Sequence, residues 1–537
     1  MVMIELSPLN RCLLFFLGLF TSVLLPYPHL IGQPGPTRPE RTAWEQTSSS
    51  SEVLTILGEA ADAHPRMHLQ SMGYSTQGQV LPLLVVGPGQ PLTPKEARHS
   101  GLLRVYLQGN IHAGEVAGKE ALLRLVRRLT EGAHENWTHG WILLINPNFN
   151  PDGNERVHLL NRTLQHGPVG GMGTRENAQG LDLNRDQMKL DSPEARSLAQ
   201  LFNQWDPHVF VDLHTTNGTR HAYHLTYSPP LHPATPDPID SFLREQLFPA
   251  VDDSIYQEYG WHFWHYGNRM NRKGIDGWWT FDPRPRYVTN YAGIRNRVGI
   301  LSEAYSYATF EDRILASERF VEAILEFLLP RREALYQMVD RIDRENLVGR
   351  KIPLQGRHLD APPVHSVLLG DVDEERHPFT GGVLLRRKDV VTPTPLPAGI
   401  SFQPHLQVEV PRAFWVDPRA EEVIERLQAH GIQLASLPRD TREIVQNFQV
   451  VSWEKHSRPF QDRLQTRVEG VWSAPAPSKL QNGYRVDMRQ PLARLALLLL
   501  EPRADDGLLN WGFYDAFYEE YQSLPVLRIP PAYSSAE

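Results

Sequence analysis

The stretch that decides the fold of this 537-residue chain is Gly109–Glu115, with the sequence GNIHAGE. The residues before it, 103–108, have the β-branched, aromatic and aliphatic content of a buried strand. After it, apolar residues recur at helical spacing over residues 122–129, and the basic residues among them are left for solvent. The stretch is therefore predicted to form the corner between a strand and a helix.

Two side chains of this corner suit a metal ion. His112 and Glu115 are three residues apart, so both can turn toward one cation, and imidazole nitrogen and carboxylate oxygen suit Zn²⁺. A catalytic zinc typically takes three protein ligands and leaves one position for water. Because an HxxE tetrapeptide also arises by chance in long chains, this interpretation requires a third ligand elsewhere.

A second predicted strand, residues 209–214 with the sequence VFVDLH, ends in His214. In open α/β sheets, ligands bind at the carboxyl ends of the strands, which is the edge where His112 and Glu115 are expected. His214 is therefore the candidate third ligand. The alternative is a histidine that is hydrogen-bonded to loop backbone.

The segment 180–186, with the sequence GLDLNRD, carries groups that suit a bound carboxylate. The planar guanidinium of Arg185 offers several N–H donors, and Asn184 offers an amide beside it. Asp182 could orient a zinc-bound histidine by accepting a hydrogen bond from its second nitrogen. The alternative is a surface turn with solvated charges.

Glu303 closes a third predicted strand, the short and mostly apolar segment 298–303. A glutamate in this position would suit a general base that acts on water at the metal. The alternative is a buried structural ion pair.

In their order along the chain, these motifs resemble the zinc carboxypeptidases of the M14 type, in the bacterial branch of that family. The resemblance covers roughly residues 53–330. The matching motifs are a GxSxxG turn at 73–78, HxxE at 112–115, Asn-Pro-Asp-Gly at 150–153, GxDxNR at 180–185, and the strand-end His214 and Glu303. Predicted strands and helices alternate over the same range. The expected fold is α/β, with a mixed, largely parallel sheet flanked by helices.

The resemblance implies a metal centre with one Zn²⁺ per chain. His112, Glu115 and His214 would bind the ion, and Glu303 would activate the water. Asp182 would accept a hydrogen bond from one of the zinc-bound histidines.

The resemblance also implies how a peptide would be held. Asn184 and Arg185 would bind its terminal carboxylate. Arg175 would polarise the scissile carbonyl and stabilise the oxyanion, because it matches the bacterial branch of the family. Arg162 is the alternative, since its spacing from Asn-Pro-Asp-Gly is closer to that of the digestive enzymes.

A mobile tyrosine caps the substrate in this family, and two tyrosines before the general base compete for that role. Tyr291 is preferred over Tyr287, although neither lies at the spacing of the digestive enzymes. The aromatic loop 261–266, with Trp278 and Trp279, either walls the pocket for the terminal side chain or packs internally. The residues that select the terminal side chain are therefore unassigned.

Composition and charge favour an ordinary soluble protein and argue against a nucleic-acid partner. The chain is 41% hydrophobic and 22% charged, and its net charge is −8 with no concentrated basic stripe. The only cysteine, Cys12, lies in an N-terminal apolar run. A processed protein would therefore lack disulfides, thiolate zinc sites and cysteine nucleophiles.

Residues 1–32 are predicted to be a signal peptide or an N-terminal anchor. The apolar run at residues 12–25 has the length of a signal-peptide core and is shorter than the roughly 20 residues needed to span a bilayer. Export without disulfides fits a secreted or periplasmic location, and the bacterial periplasm best. A membrane is an expected partner only if this segment remains uncleaved.

The length exceeds what one hydrophobic core usually serves, so two folded domains are expected. Residues 33–50, rich in Pro, Gly, Ser and Thr, are predicted to be a linker. Residues 51–345 would form the zinc carboxypeptidase-like catalytic domain. Residues 346–537, with short apolar runs between Pro and Gly, would form a smaller α+β domain without a catalytic constellation.

The sequence thus predicts an exported zinc metallocarboxypeptidase that acts on peptides with a free C-terminus, with Glu303 as its general base. One alternative is an amidohydrolase on the same scaffold that acts on N-acyl amino acids or cell-wall peptides. The other is a non-catalytic zinc-binding protein, which the full set of candidate residues argues against.

Overall fold

The computed structural model describes residues 33–89 and 92–531. Its α-helices, numbered in chain order, are α1 (Arg38–Arg41), α2 (Ser50–Ala63), α3 (Pro94–His99), α4 (Ala117–Thr130), α5 (Pro151–Asn154), α6 (Pro193–Gln204), α7 (Asp237–Ser241), α8 (Phe248–Tyr259), α9 (Val288–Ile294), α10 (Phe310–Leu328), α11 (Arg332–Asp343), α12 (Glu421–Ala429), α13 (Ala493–Leu500) and α14 (Asp515–Tyr521).

The strands are β1 (Met67–Tyr74), β2 (Val80–Val86), β3 (Leu103–Gly109), β4 (Trp141–Asn146), β5 (Val209–Thr215), β6 (Leu225–Ser228), β7 (Phe263–His265), β8 (Asn268–Arg272), β9 (Ile275–Trp279), β10 (Val298–Ala304), β11 (Lys351–Arg357), β12 (Val364–Leu369), β13 (Val372–Arg376), β14 (Val383–Arg387), β15 (Thr392–Gly399), β16 (Gln403–Glu409), β17 (Ala413–Val416), β18 (Ala435–Leu437), β19 (Thr441–Val445), β20 (Phe448–Lys455), β21 (Thr466–Trp472), β22 (Ala476–Leu480), β23 (Gly483–Asp487) and β24 (Val526–Ile529).

Eight strands form the central sheet, in the order β1-β2-β4-β3-β5-β10-β6-β7. The four central strands, β4, β3, β5 and β10, run parallel to one another. Antiparallel pairs join β1 to β2, β2 to β4, and β10 to β6. The predicted fold class, a mixed and largely parallel sheet flanked by helices, is confirmed.

The register of the parallel strands aligns their carboxyl ends. His214 on β5 lies opposite Glu303 on β10, and Gly109 at the end of β3 lies opposite Leu213. All residues of β3 and β5 are buried, as expected for parallel strands that are covered on both faces. The candidate residues of three predicted strand ends therefore meet at one edge of the sheet.

Different parts of the chain cover the two faces of the sheet. Along β2, Leu84 and Val86 face a core shared with α2, α4 and α10. Leu83 and Val85 face the opposite core, which includes residues of α6 and α9. Helix α13, which is entirely buried, packs in this second core.

The region after residue 345 is rich in short β-strands and contributes helices α12, α13 and α14, which confirms the predicted additional α+β elements. The predicted division at residue 346 does not separate two cores, because α13 lies in the same core as Leu83 and Val85 of the central sheet. A small sheet, β12-β15-β9-β8, also contains strands from both sides of that division.

The predicted linker, residues 33–50, is instead packed against helix α4. Its Ser48 backbone N–H and hydroxyl donate to the buried Glu120 carboxylate at 2.7 and 2.8 Å, and Thr47 donates to the same group at 2.8 Å. A buried carboxylate requires hydrogen-bond donors, so this segment is part of the fold.

The predicted signal peptide or anchor, residues 1–32, lies outside the described residues. Within residues 33–89 and 92–531, no helix is both long and apolar enough to cross a membrane.

Candidate active site

Three candidate ligands meet at the carboxyl edge of the central sheet. His112 and Glu115 occupy the turn between β3 and α4, where the Glu115 N–H donates to the His112 carbonyl at 2.9 Å, and His214 lies near the end of β5. Glu115 Oε1 is 3.1 Å from His112 Nδ1, and its Oε2 is 2.9 Å from His214 Nδ1. All three side chains are buried, and one ligand atom from each lies within 4.8 Å of the others. This group could hold a metal ion.

Both imidazoles are oriented by an aspartate. His112 Nε2 is 3.0 Å from Asp182 Oδ1, and His214 Nε2 is 2.6 Å from Asp212 Oδ2. A carboxylate that accepts the Nε2–H leaves the Nδ1 lone pair of each ring directed toward Glu115, which is the tautomer that a metal ligand needs. The donor set therefore fits a metal such as zinc.

Asp212 was not among the sequence-based candidates. It lies two residues before His214, and residues i and i+2 of a strand share a face of the sheet. The two-residue period of a strand could therefore have identified Asp212 as a neighbour of His214.

The charges around the cluster favour a cation at its centre. Burial alone would lower the pKa of His214, but the Asp212 and Glu115 carboxylates outweigh it and raise that pKa well above its usual value. Burial would raise the pKa of Glu115, but His112 and Arg162 hold it well below its usual value. The Asp212 and Glu115 carboxylates thus stabilise positive charge at His214.

Glu303 lies beside this cluster, opposite His214 in the register of β5 and β10. Its Oε2 is buried and has no hydrogen-bond partner among the described residues. Burial, with the Glu115 carboxylate nearby, raises the pKa of Glu303 above its usual value. A raised pKa suits a carboxylate that accepts and returns a proton.

Asn184 and Arg185 lie at the other side of the same cleft. The Val288 N–H donates to Asn184 Oδ1 at 2.8 Å, which leaves the Nδ2 amide donors for the cleft. The Arg185 guanidinium lies over the Tyr287 ring, with its Cζ 4.0 Å from the ring centre. Arg185 Nη1 donates to the Asn184 carbonyl at 2.7 Å. Both side chains present donors that a carboxylate could accept.

Both arginines that were considered for the oxyanion lie at the metal-ligand cluster. Arg175 pairs with Asp182 through Nε at 2.9 Å and Nη2 at 2.6 Å, and its Nη1 is 3.2 Å from His112 Nδ1. Arg162 Nη2 is 2.5 Å from Glu115 Oε1. Of the two, Arg175 lines the cleft.

The structure separates the two competing tyrosines. Tyr291 is fully buried, and its hydroxyl contacts His430 Nδ1 at 2.8 Å and Arg295 Nη1 at 3.0 Å. It is not among the cleft residues, whereas Tyr287 is. Tyr287 caps the N-terminus of α9, and Tyr291 lies one turn later on the face that packs into the core. The structure therefore places Tyr287 in the cleft rather than the preferred Tyr291.

The aromatic loop 261–266 packs mostly internally. Trp261 stacks on His224, and Trp264 packs against Tyr223 and Trp278. The residues that line the cleft are His112, Glu115, Arg175, Asn184, Arg185, His214, Thr215, Asn217, Tyr266, Phe281, Tyr287, Thr289, Leu301 and Glu303. Tyr266 is thus the only member of the loop that reaches the cleft.

The cleft thus combines a His–Glu–His cluster that could hold a metal ion with the carboxylate of Glu303 and the guanidinium of Arg185. The family model described as zinc carboxypeptidase, Peptidase_M14, matches residues 53–237. This part of the chain therefore matches a family of metallocarboxypeptidases, enzymes that hydrolyse peptide bonds.

Relatives extend this similarity along most of the chain. Carboxypeptidase 2 of Trichophyton tonsurans is 24% identical over 466 residues, which cover 82% of this chain and 78% of that protein. Carboxypeptidase E of Caenorhabditis elegans is 32% identical over 169 residues, which cover 29% of this chain and 33% of that protein. A metallo-carboxypeptidase from Burkholderia cenocepacia aligns in structure with 18% identity and a TM-score of 0.40, over 52% of this chain and 70% of that one.

Proposed function

We propose that the protein is a zinc-dependent exopeptidase that releases the C-terminal residue of peptides. The observation that carries the proposal is the convergence of a His–Glu–His cluster, a glutamate and an arginine with free donors in one cleft. Each group corresponds to one requirement of the reaction: a metal, a base and an anchor for the terminal carboxylate.

One zinc ion would be held by His112, Glu115 and His214, with Asp182 and Asp212 orienting the imidazoles. When bound, zinc would polarise the scissile carbonyl and lower the pKa of a water molecule. Two nitrogens and a carboxylate oxygen are typical ligands of catalytic zinc.

The remaining steps depend on side chains of the chain itself. Glu303 would accept a proton from the attacking water and pass it to the amine that leaves when the peptide bond breaks. Arg175 would donate hydrogen bonds to the carbonyl oxygen as it gains negative charge. Its guanidinium is already held by Asp182, which limits its reorientation during the reaction.

The proposed binding site for the terminal carboxylate would restrict cleavage to the last peptide bond of the substrate. Arg185 and the Nδ2 amide of Asn184 would bind the free carboxylate of the last residue. A substrate without this charge would leave Arg185 unpaired in the cleft. The proposed substrates are therefore peptides with a free C-terminus, with no role for nucleic acid.

We also propose that the protein is exported, to the periplasm or the cell exterior. The support for this is the apolar run at residues 12–25, which has the length of a signal-peptide core. Fractionation of cells that express the full chain tests it, and retention in the cytoplasm would contradict it.

Incubation of the zinc-loaded protein with a peptide pool tests the catalytic proposal. Mass spectrometry should detect released C-terminal residues from free peptides and far fewer from the same peptides with amidated C-termini. Equal cleavage of both forms, or internal cleavage, would contradict the proposed anchor. Release from N-acyl amino acids or cell-wall peptides alone would favour the amidohydrolase alternative.

A further inference from the structure

The region after residue 345 contacts the backbone beside the cleft through a buried ion pair, Arg286 and Asp506. Arg286 is 2% exposed and Asp506 is 0% exposed. The Arg286 Nε donates to Asp506 Oδ1 at 2.8 Å, and its backbone N–H donates to Asp506 Oδ2 at 3.0 Å. One carboxylate therefore holds both the side chain and the backbone of Arg286.

Two aromatic rings from the same region enclose this arginine. The Arg286 guanidinium carbon lies 4.8 Å from the ring centre of Phe460 and 4.8 Å from that of Trp511. A planar guanidinium stacks favourably on aromatic faces. A buried arginine that loses its carboxylate partner destabilises the fold, so these contacts hold the Arg286 side chain in a single conformation.

The next two residues after Arg286 contact the proposed carboxylate anchor. The Tyr287 ring lies 4.0 Å from the Arg185 guanidinium carbon, and the Val288 N–H donates to Asn184 Oδ1 at 2.8 Å. The backbone that Asp506 fixes thus continues directly into the contacts that orient Arg185 and Asn184.

A second contact reaches the cleft from the loop between β20 and β21. Gln461 Oε1 accepts a hydrogen bond from the Asp182 N–H at 2.7 Å. The loop is fastened by Arg463, whose Nε and Nη2 each lie 2.7 Å from an Asp191 carboxylate oxygen. The segment that carries Asn184 and Arg185 is therefore also held from the C-terminal region.

We propose that Asp506 is a positioning residue for the carboxylate anchor, acting through Arg286 on the Tyr287 and Val288 contacts that orient Arg185 and Asn184. The proposal rests on the proposed function of the cleft. It gives the C-terminal region a defined role, which is to complete the binding site for the end of the peptide.

The test uses Asp506→Asn in the full-length zinc-loaded protein. Since the anchor would be misplaced, KM for peptides with a free C-terminus should rise about tenfold, while kcat changes less than about twofold. The preference for free over amidated peptides, expressed as a ratio of kcat/KM values, should fall by a similar factor. A variant that only lost stability would show a lower fraction of active enzyme with an unchanged KM.

Glu501→Gln is the matched control. Glu501 is also buried and pairs with an arginine of the C-terminal region, Arg528, at 2.6 Å, and neither residue lines the cleft. This variant should lower the melting temperature and leave KM and the preference for free C-termini unchanged.

Arg286→Lys provides a second variant if Asp506→Asn does not fold. Lysine keeps the charge for Asp506 but loses the planar stack and the fork of donors, so KM should again rise. An unchanged KM in whichever of these two variants folds would overturn the proposal. Absence of C-terminal release by the wild-type protein would instead contradict the proposed function itself.

Discussion

Asp212 Oδ2 lies 2.6 Å from His214 Nε2, two residues earlier on the same strand. The carboxylate is fully buried, and its other oxygen accepts a hydrogen bond from Gln108 Nε2 on the neighbouring strand at 3.0 Å. This pair sets the orientation and tautomer of the imidazole. The orientation that His214 would need to bind the proposed metal is therefore set by the alternation of side chains along β5.

Asp212→Asn should weaken zinc binding by about 10- to 100-fold, because the amide no longer fixes the imidazole as a charged acceptor does. Competition with a chelator of known affinity measures the change. Asp252→Asn is a control, since Asp252 Oδ2 contacts the Tyr227 hydroxyl at 2.6 Å, away from the ligand cluster. Equal zinc affinities of wild type and Asp212→Asn would refute the orienting role.

Glu303→Gln should retain zinc and lose turnover. Glutamine is similar in shape but cannot accept a proton, so kcat should fall by about 10²- to 10⁴-fold, the usual contribution of a general base. Zinc content and peptide release are measured on the same preparation. Undiminished hydrolysis by the zinc-loaded variant would show that another group is the base.

The two tyrosines should respond differently to substitution. Tyr287→Ala removes the ring beneath Arg185 and should raise KM for free peptides several-fold, since a cation–π contact is worth about 0.5 to 2 kcal/mol. Tyr291→Phe leaves the buried His430 Nδ1 without its hydrogen-bond partner and should cost about 1 to 3 kcal/mol of stability. Steady-state kinetics and denaturant unfolding separate the two effects, and a raised KM in Tyr291→Phe would restore it as a substrate residue.

Acid should destabilise the protein through Asp206. Burial would raise the pKa of Asp206, but the Arg297 and Arg104 guanidinium groups outweigh it and lower the pKa to about 2. Because the folded-state pKa lies below the unfolded value of about 4, the stabilisation is complete above pH 4 and is lost as the pH falls toward 2. With 31% of this side chain exposed, its contribution is about 1 to 2 kcal/mol.

Denaturant unfolding between pH 2 and 6 measures this loss against an Asp206→Asn variant. Asp206 has a positive φ of 51°, which asparagine also tolerates, so the variant removes the charge without straining the backbone. The variant should be less stable at pH 6 and show a shallower loss of stability on acidification. Parallel pH profiles would contradict the assignment.

Local patterns were sufficient to predict the fold class and to select His112, Glu115, His214 and Glu303, which meet in the cleft. His214 and Glu303 each end a short apolar strand, and parallel strands bring such ends to one edge of a sheet. His112 and Glu115 lie at the corner after β3, which ends at the same edge. The sequence predicts these positions because the two-residue period of a strand, and the residue at which the strand ends, depend on nearby residues only.

Local sequence patterns could not predict contacts between segments that are distant along the chain. The choice of Tyr287 over Tyr291 depends on which face of α9 packs against α6 and the C-terminal region. The segment 33–50 was predicted to be a linker from its composition. Composition does not reveal that the segment donates hydrogen bonds to the buried Glu120 carboxylate.

The sequence by itself determined that the chain has an α/β sheet with a glutamate and a His–Glu–His cluster that could hold a metal ion at one edge. Only the tertiary structure decided that the C-terminal region contacts the backbone beside that cleft. Asp506 and Arg286 are 220 residues apart, and neither belongs to a periodic pattern that would mark the other as its partner. Their contact arises because α13 and the segments around it pack in the same core as one face of the central sheet, which brings Asp506 to the backbone before Tyr287.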